Sequence, residues 1–209
     1  MQIKRFEHLA GTAEARLEGE KITGRFGVAP LLITNESRLC ETFANSLETP
    51  AAILKFSKRY GPLVNVASPG GAFQFQLAEW RGRHQIFCDA WRSIARSYTN
   101  AELKRWGGLS DTGFEFAHGS HLSFSKHDGE NTVTLDKLLD LIELCFYGQD
   151  WERLRVCGRP ECTKKFFIAH HLKQSFCNDQ ECKDWGQRRD KLNWWNENRR
   201  KTHVTTKEG

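Results

Sequence analysis

Apolar residues recur every three or four positions in two stretches of the first third of the chain, which is the spacing of an α-helix. Leu39, Phe43 and Leu47 follow Asn35, a residue type that caps helix N-termini. A second helix is predicted over 50–60, because a Thr-Pro pair precedes it and a Gly-Pro pair follows it. The sequence therefore predicts two short helices in the first third of the chain.

Two further helical patterns follow. Residues 73–105 form the longest one, and a C-terminal cap at Gly148 ends another that runs from an N-cap at Thr134 to Tyr147. Each has an apolar stripe at helical spacing. The stripes consist of Phe87, Ala90, Trp91, Ile94 and Tyr98 in the first helix, and Leu138, Leu141, Ile142 and Cys145 in the second. We interpret both stripes as core.

Alternating patterns, which favour β-strands, are short. Residues 21–23 and 28–33 predict two strands, and 114–116 with 122–124 predict a small hairpin. The expected fold is mainly α with a small β-hairpin. We expect a helical body over 1–150, able to fold alone and to present a dimer face.

Composition supports a folded chain. Of 209 residues, 39% are hydrophobic and 27% are charged, which is too apolar for a disordered protein. No apolar run reaches the ~18 residues of a membrane helix, and the first eight residues contain no apolar signal segment. A cytoplasmic protein without a membrane partner is predicted.

The charge is uneven along the chain. The net charge of +5 comes from residues 151–209, where 14 lysines and arginines oppose 8 acidic residues, whereas residues 1–150 carry −1. A basic segment on a neutral body favours an anionic partner, most often nucleic acid. The alternative is a solvated basic tail.

Four of the seven cysteines are spaced in a way that predicts a metal site. Cys157, Cys162, Cys177 and Cys182 have the spacing C-x4-C-x14-C-x4-C, and two such pairs can close a tetrahedral zinc site. Four protein ligands leave no open position, so the zinc would be structural. Two disulfides or four unrelated cysteines are the alternatives. The remaining cysteines, Cys40, Cys88 and Cys145, are expected to be small buried hydrophobes.

Two histidines lie between the cysteine pairs. His170 or His171 could replace one sulfur, although four cysteines already satisfy the site, so we expect surface or packing roles. They also suggest a His-Asn-His nuclease. That class needs a further ligand on the helix after Cys182, and the first histidine there is His203, so the nuclease is disfavoured.

A basic helix is predicted after Cys182. Trp185, Leu192 and Trp195 fall on one side and are expected to pack over the zinc module. Arginine suits phosphates and guanine edges, so contact with duplex DNA is predicted. The candidate nucleic-acid-binding residues are Lys183, Arg188, Arg189, Lys191, Arg199 and Arg200. A helical-wheel projection of this segment shows no separate basic face. The alternative is therefore a helix that only packs against the zinc module, with its arginines in solvent.

The stretch from Arg153 resembles the CGNR zinc-finger family. The matching features are Arg-Leu-Arg-Val-Cys over 153–157, Cys-x-x-Pro-x-Cys over 157–162, the Phe pair at 166–167, Ser-Phe-Cys over 175–177 and the fourth cysteine with arginines after it. The resemblance implies an ABATE-like body over 1–150 and a CGNR-like zinc module over 151–203. The family has Gly-Asn-Arg after its fourth cysteine, whereas this chain has Lys-Asp-Trp.

The resemblance implies a DNA-binding transcriptional regulator with one structural Zn²⁺ and a body that dimerises or senses an effector. The alternative function is a zinc-stabilised protein-interaction module that contacts no nucleic acid. No nucleophile–base arrangement, phosphate loop or open metal site is evident in the sequence, so an enzyme is not expected.

Overall fold

The computed structural model describes residues 5–8, 11–33, 36–63, 65, 67–97, 122–127 and 130–205. Close to half of this structure is helical. Its five helices are α1 Glu36–Ala44, α2 Pro50–Tyr60, α3 Leu77–Ser97, α4 Leu138–Tyr147 and α5 Gln180–Thr205. No helix in these ranges combines the length and the apolar character needed to cross a bilayer.

Nine described strands form three small sheets. The strands are β1 Arg5–His8, β2 Thr12–Glu18, β3 Lys21–Phe26, β4 Leu31–Ile33, β5 Ala72–Gln76, β6 Leu122–His127, β7 Glu130–Leu135, β8 Leu154–Val156 and β9 Phe166–Ile168. Their orders are β4-β1-β7-β6, β2-β3-β5 and β8-β9, and every pairing is antiparallel except the parallel pair β1–β7.

The β content of the body corrects the expectation of a mainly helical domain with one hairpin. β3 runs through Gly24, where a break between two strands was expected, and β2 pairs with it across a turn in which Gly19 has φ 61°. A two-residue hairpin turn accepts a glycine at positive φ. The body is therefore a mixed α+β structure in its described part.

Two predicted helix starts are also wrong. Residues 73–76 belong to β5, where Phe73 and Phe75 alternate with exposed neighbours, and α3 begins only at Leu77. Thr134 lies in β7 instead of capping α4, whose N-cap is Lys137. Leu122–Phe124 is a strand as predicted, but it pairs with β7. Asn35, Tyr98 and the predicted strand at 114–116 lie outside the described residues.

Other local signals are confirmed. Thr49 caps α2 by accepting a hydrogen bond from the backbone N–H of Ala52 at 3.3 Å, and the helix ends at Gly61. Gly148 caps α4 by donating its N–H to the Leu144 carbonyl. The predicted inward face of α4 is buried throughout.

Aromatic rings connect the helices of the body into one core. Phe43 of α1 lies 5.5 Å from both Phe56 and Trp80, measured between ring centroids. Trp91 of α3 lies 5.2 Å from Phe146. Because aromatic side chains bury the largest areas, this cluster accounts for much of the stability of the body.

Candidate metal centre and basic helix

The local structure brings the four predicted cysteine ligands together. Cys157 follows β8, Cys162 lies in the turn before β9, Cys177 precedes α5, and Cys182 is in the first turn of that helix. Their Sγ atoms all lie within 4.8 Å of one another. All four cysteines are free thiols, so the two-disulfide alternative is not what this structure contains.

The sulfur spacing fits one tetrahedral metal ion. Sγ of Cys162 lies 3.6 Å from Sγ of Cys177 and 3.5 Å from Sγ of Cys182. Zn–S bonds of ~2.3 Å place the corners of a tetrahedron ~3.8 Å apart. The observed separations are close to that edge, so the four cysteines can coordinate one metal ion and leave no position for a substrate.

The two halves of the site use the same backbone geometry. The thiol of Cys157 accepts a hydrogen bond from the backbone N–H of Arg159, and the thiol of Cys177 accepts one from Asp179. In each half the donor follows the first cysteine of a pair by two residues. The repeated C-x4-C spacing is thus a repeated turn that aims a backbone donor at sulfur.

The ionisation of the thiols differs within the cluster. Burial raises the pKa of Cys177 to about 11, and burial with hydrogen bonds to the other thiols raises the pKa of Cys162 above its ordinary value. Burial also opposes ionisation of Cys157, but the backbone N–H groups of Cys177 and Arg159 outweigh it and lower its pKa. Four adjacent thiolates therefore need a cation among them, which is the chemistry of a tetrathiolate metal site.

Two basic side chains brace the first turn. Arg159 donates to Glu181 at 2.6 Å and points Nη1 at Sγ of Cys182 from 3.9 Å. The hydrogen bond to Glu181, followed by the contact with Cys182, raises the pKa of the guanidinium. Lys165 donates its Nζ to the Arg159 carbonyl at 2.9 Å. Both place positive charge beside a cluster that becomes anionic when it holds a divalent metal.

Phe176 explains the glycine inside α5. Its ring lies between Gly158 and Gly186, and a Cβ on Gly186 would be 2.6 Å from the ring. The same ring contacts Trp185, with centroids 5.7 Å apart. The absence of a side chain at Gly186 therefore lets the first turns of α5 pack against the cysteine cluster.

The histidines take no part in the ligand set. Within the described residues, the side chains grouped closely enough to hold a metal are the four cysteines alone. His170 and His171 are both exposed, as expected.

Helix α5 leaves the module after its second turn. From Gln187 to Arg199 every side chain is exposed except Asn198, which is half-buried. Leu192 and Trp195 are 60% and 54% exposed, so the prediction that they pack over the module is wrong. Only Trp185 of the predicted trio packs there, because the 19 residues of α5 after Gly186 extend beyond the small cluster beneath the start of the helix.

The basic candidates lie along this free helix. Lys183, Arg188, Lys191 and Arg199 are exposed, whereas the side chain of Arg200 lies outside the described residues. Arg189 is exposed but sits over the rings of Phe176 and Trp185, at 5.0 and 5.4 Å from their centroids. Arg188 and Arg189 are therefore not equivalent, although they are adjacent in the sequence.

Polar contacts join the cysteine module to the body. Asn45 of α1 donates to the Phe166 carbonyl at 2.7 Å and accepts from the Phe166 N–H at 2.9 Å. Glu41 accepts from the Ile168 N–H at 2.7 Å, and Trp91 donates to the Arg155 carbonyl at 3.1 Å. Sequence reasoning missed these residues, because partners more than 60 positions away leave no local pattern.

A second polar cluster lies inside the body. His84 Nδ1 is 3.0 Å from Glu48 Oε1, and His84 Nε2 is 3.5 Å from Cys88 Sγ. The order thiol, imidazole, carboxylate matches an activated nucleophile, but Cys88 is 2% exposed and burial raises its pKa to about 12. The spacing of His84 and Cys88 was a signal available in the sequence. Cys40, Cys88 and Cys145 are all buried, as predicted.

Comparison of the chain with protein-family models, with curated proteins and with solved structures found no match.

Proposed function

We propose that this protein is a DNA-binding regulator whose C-terminal helix is held in place by one structural Zn²⁺. Zinc is the metal that a buried tetrathiolate site of this size suits best, since it prefers thiolate ligands and a tetrahedral arrangement. The sulfur separations of 3.5 and 3.6 Å support a closed site. Such a site folds the module and does no chemistry.

The observation that carries the DNA proposal is the free length of α5. Arg188 and Arg199 are 11 residues apart, which is about three turns, so they lie on one line of the helix roughly 16 Å apart. The major groove of B-DNA is ~12 Å wide and admits an α-helix. A helix lying in that groove would bring both arginines to phosphates along the same side of the groove.

The resemblance to the CGNR zinc-finger family supports the same function through the four cysteines and their flanking residues. The Gly-Asn-Arg signature of that family is replaced by Lys183-Asp184-Trp185. Asp184 hydrogen-bonds Gln180 and Trp185 packs on Phe176, so these two residues serve the helix and the module. DNA contact would therefore come from the helix beyond Gly186.

A second candidate function is a protein-interaction module. It is favoured by the apolar part of the free helix, where Leu192, Trp194 and Trp195 are each more than half exposed. The rings of Trp194 and Trp195 meet edge to face at 5.9 Å. Exposed tryptophans with a polar surround are typical anchors of protein interfaces.

Fluorescence anisotropy with duplex DNA over a salt series separates the two functions. We expect log affinity to fall with log salt by about 0.9 per phosphate contact, and Arg188→Ala with Arg199→Ala to flatten that slope by up to about two units. The zinc content should not change, because neither residue is a ligand.

The matched control is Arg16→Ala with Arg25→Ala, which removes the same charge from exposed positions on β2 and β3. It should leave the slope unchanged. If duplex DNA does not bind at low salt, or the α5 double variant binds as the wild type does, the DNA proposal fails. The interaction module then becomes the better account of α5.

A further inference from the structure

A groove of about 990 Å³ separates helices α1 and α2 from the cysteine module. One wall is formed by the two helices and the other by β9 with the segment around Asp179. The hydrogen bonds of Asn45 and Glu41 to β9 hold the two walls together, so the groove is preformed. Its volume is in the range of small-molecule sites.

Cations outnumber carboxylates in the lining of the groove. Five cations line the groove: Arg38, Lys55, Arg59, Arg153 and Lys164. The carboxylates there are Glu41 and Asp179, and both are engaged. Glu41 accepts from the Ile168 N–H, while Asp179 accepts from the Glu181 N–H and faces Lys164 at 3.7 Å. The groove therefore presents a net positive surface to a ligand.

Two of the groove cations, Lys55 and Arg59, lie on α2. Lys55 and Arg59 are four residues apart on α2, so they face the same side and repel each other. Among the residues that the structure describes, no carboxylate lies within 4 Å of either side chain.

We propose that this groove binds a small organic anion with two negatively charged groups, one for each wall. Lys55 and Arg59 bind one group. Arg153 and Lys164 bind the other, in competition with their ion pairs to Asp150 at 3.1 Å and to Asp179 at 3.7 Å. Ion pairs between exposed side chains are weak, so a ligand anion can replace them. The groove is a recess between the two helices and the module, which fits a compact molecule better than a nucleic-acid duplex. Because its floor includes β9 and its wall includes Cys177, such a ligand would contact both the body and the metal module.

Calorimetric titration of the full-length, metal-loaded protein tests this site. The probes are succinate, 2-phosphoglycolate and acetate at low ionic strength. We expect saturable binding of succinate or 2-phosphoglycolate, with acetate much weaker because it carries one charged group. A preference between the two diacids identifies carboxylate or phosphate as the second group.

The variant Lys55→Gln with Arg59→Gln should lower the affinity for the diacid by about tenfold or more, since it removes two charge-assisted contacts. Lys58→Gln is the control, because Lys58 is exposed on α2 but outside the groove. It should change the affinity by less than about twofold. All three side chains are exposed, so the fold is retained.

Three results would overturn the proposal. The first is that neither diacid binds saturably. The second is that acetate binds as tightly as the diacids. The third is that Lys58→Gln weakens binding as much as Lys55→Gln with Arg59→Gln does. Loss of duplex DNA binding in the groove variant, without diacid binding to the wild type, would assign the groove to a nucleic-acid surface instead.

Discussion

The body and the cysteine module are stabilised by different means. The body buries a continuous cluster of apolar and aromatic side chains drawn from every described helix except α5. The buried cluster of the module contains only Cys157, Phe167, Ala169, Cys177 and Cys182, with Cys162 and Phe176 packed against it. Cysteine side chains thus make up most of the small buried cluster of the module.

This difference shows how a 26-residue helix can project from so small a base. Hydrophobic burial scales with area, and the module has too little area to fix the start of α5 by burial alone. A metal ion bonded to the four sulfurs would fix both turns and the start of α5 at once. A substitution in one region should therefore affect the stability of that region more than the stability of the other.

The largest effect is expected from Cys177→Ser. Structural zinc contributes an apparent ~10–16 kcal/mol in small modules, so loss of one ligand should unfold the module and much of α5. Amide hydrogen exchange should show lost protection after about residue 156 and retained protection in α1, α2 and α3.

The control for this variant is Cys40→Ser, which changes a buried thiol of the body. It should leave the metal content unchanged. If Cys177→Ser lost amide protection equally in the module and in the body, the two regions would not be stabilised by different means.

Substitution of two neighbouring phenylalanines should affect the two regions differently. Phe166 and Phe167 are adjacent on β9, yet Phe166 packs in the core of the body and Phe167 packs in the cysteine cluster. Phe166→Ala should cost the body about 3–5 kcal/mol and leave the metal affinity unchanged. Phe167→Ala should instead weaken metal retention. Urea unfolding and competition with a chelator measure the two effects, and identical profiles would contradict the division.

Two helical glycines should respond with opposite signs. A Cβ on Gly186 would lie 2.6 Å from the Phe176 ring, so Gly186→Ala should destabilise the module by about 1–3 kcal/mol. A Cβ on Gly82 of α3 meets nothing within 4 Å, so Gly82→Ala should stabilise the body by about 0.5–1 kcal/mol. Stabilisation by both substitutions would disprove the packing assigned to Phe176.

A small effect is also expected at the contact between the regions. Glu41→Ala removes the hydrogen bond to Ile168 and should cost about 1–1.5 kcal/mol, whereas Glu41→Gln retains an acceptor. Burial raises the pKa of Glu41, so the folded state binds its proton more tightly than the unfolded state does. The wild type should therefore lose stability relative to Glu41→Gln as the pH rises above 4.5, the ordinary pKa of the glutamate side chain. A pH-independent difference would contradict this.

The sequence predicted the helices best where caps and apolar stripes agree. Thr49 with Pro50 and the inward face of α4 are examples. It failed for β2, whose Ala, Glu, Arg and Leu residues favour helix by propensity and become a strand through pairing with β3. It also failed at β5, where the alternation of Phe73 and Phe75 was absorbed into the neighbouring helix. The domain boundary near 150 stays a prediction, although Leu154 and Phe166 belong to the core of the body.

The cysteine site was predictable because its ligands lie in two local pairs with identical spacing. The exposure of the second half of α5 could not be predicted, because no local pattern shows how far the module extends beneath the helix. Leu192 and Trp195 have the spacing of a packed face and yet are exposed. The groove cations were also missed, because α1, α2 and the module meet only in the folded chain.

Elemental analysis of the purified full-length protein tests the central claim most directly. The account predicts one zinc per chain, lost together with the amide protection of residues 157–186 when a chelator is added. A metal-free preparation in which that segment remains protected from exchange would contradict it.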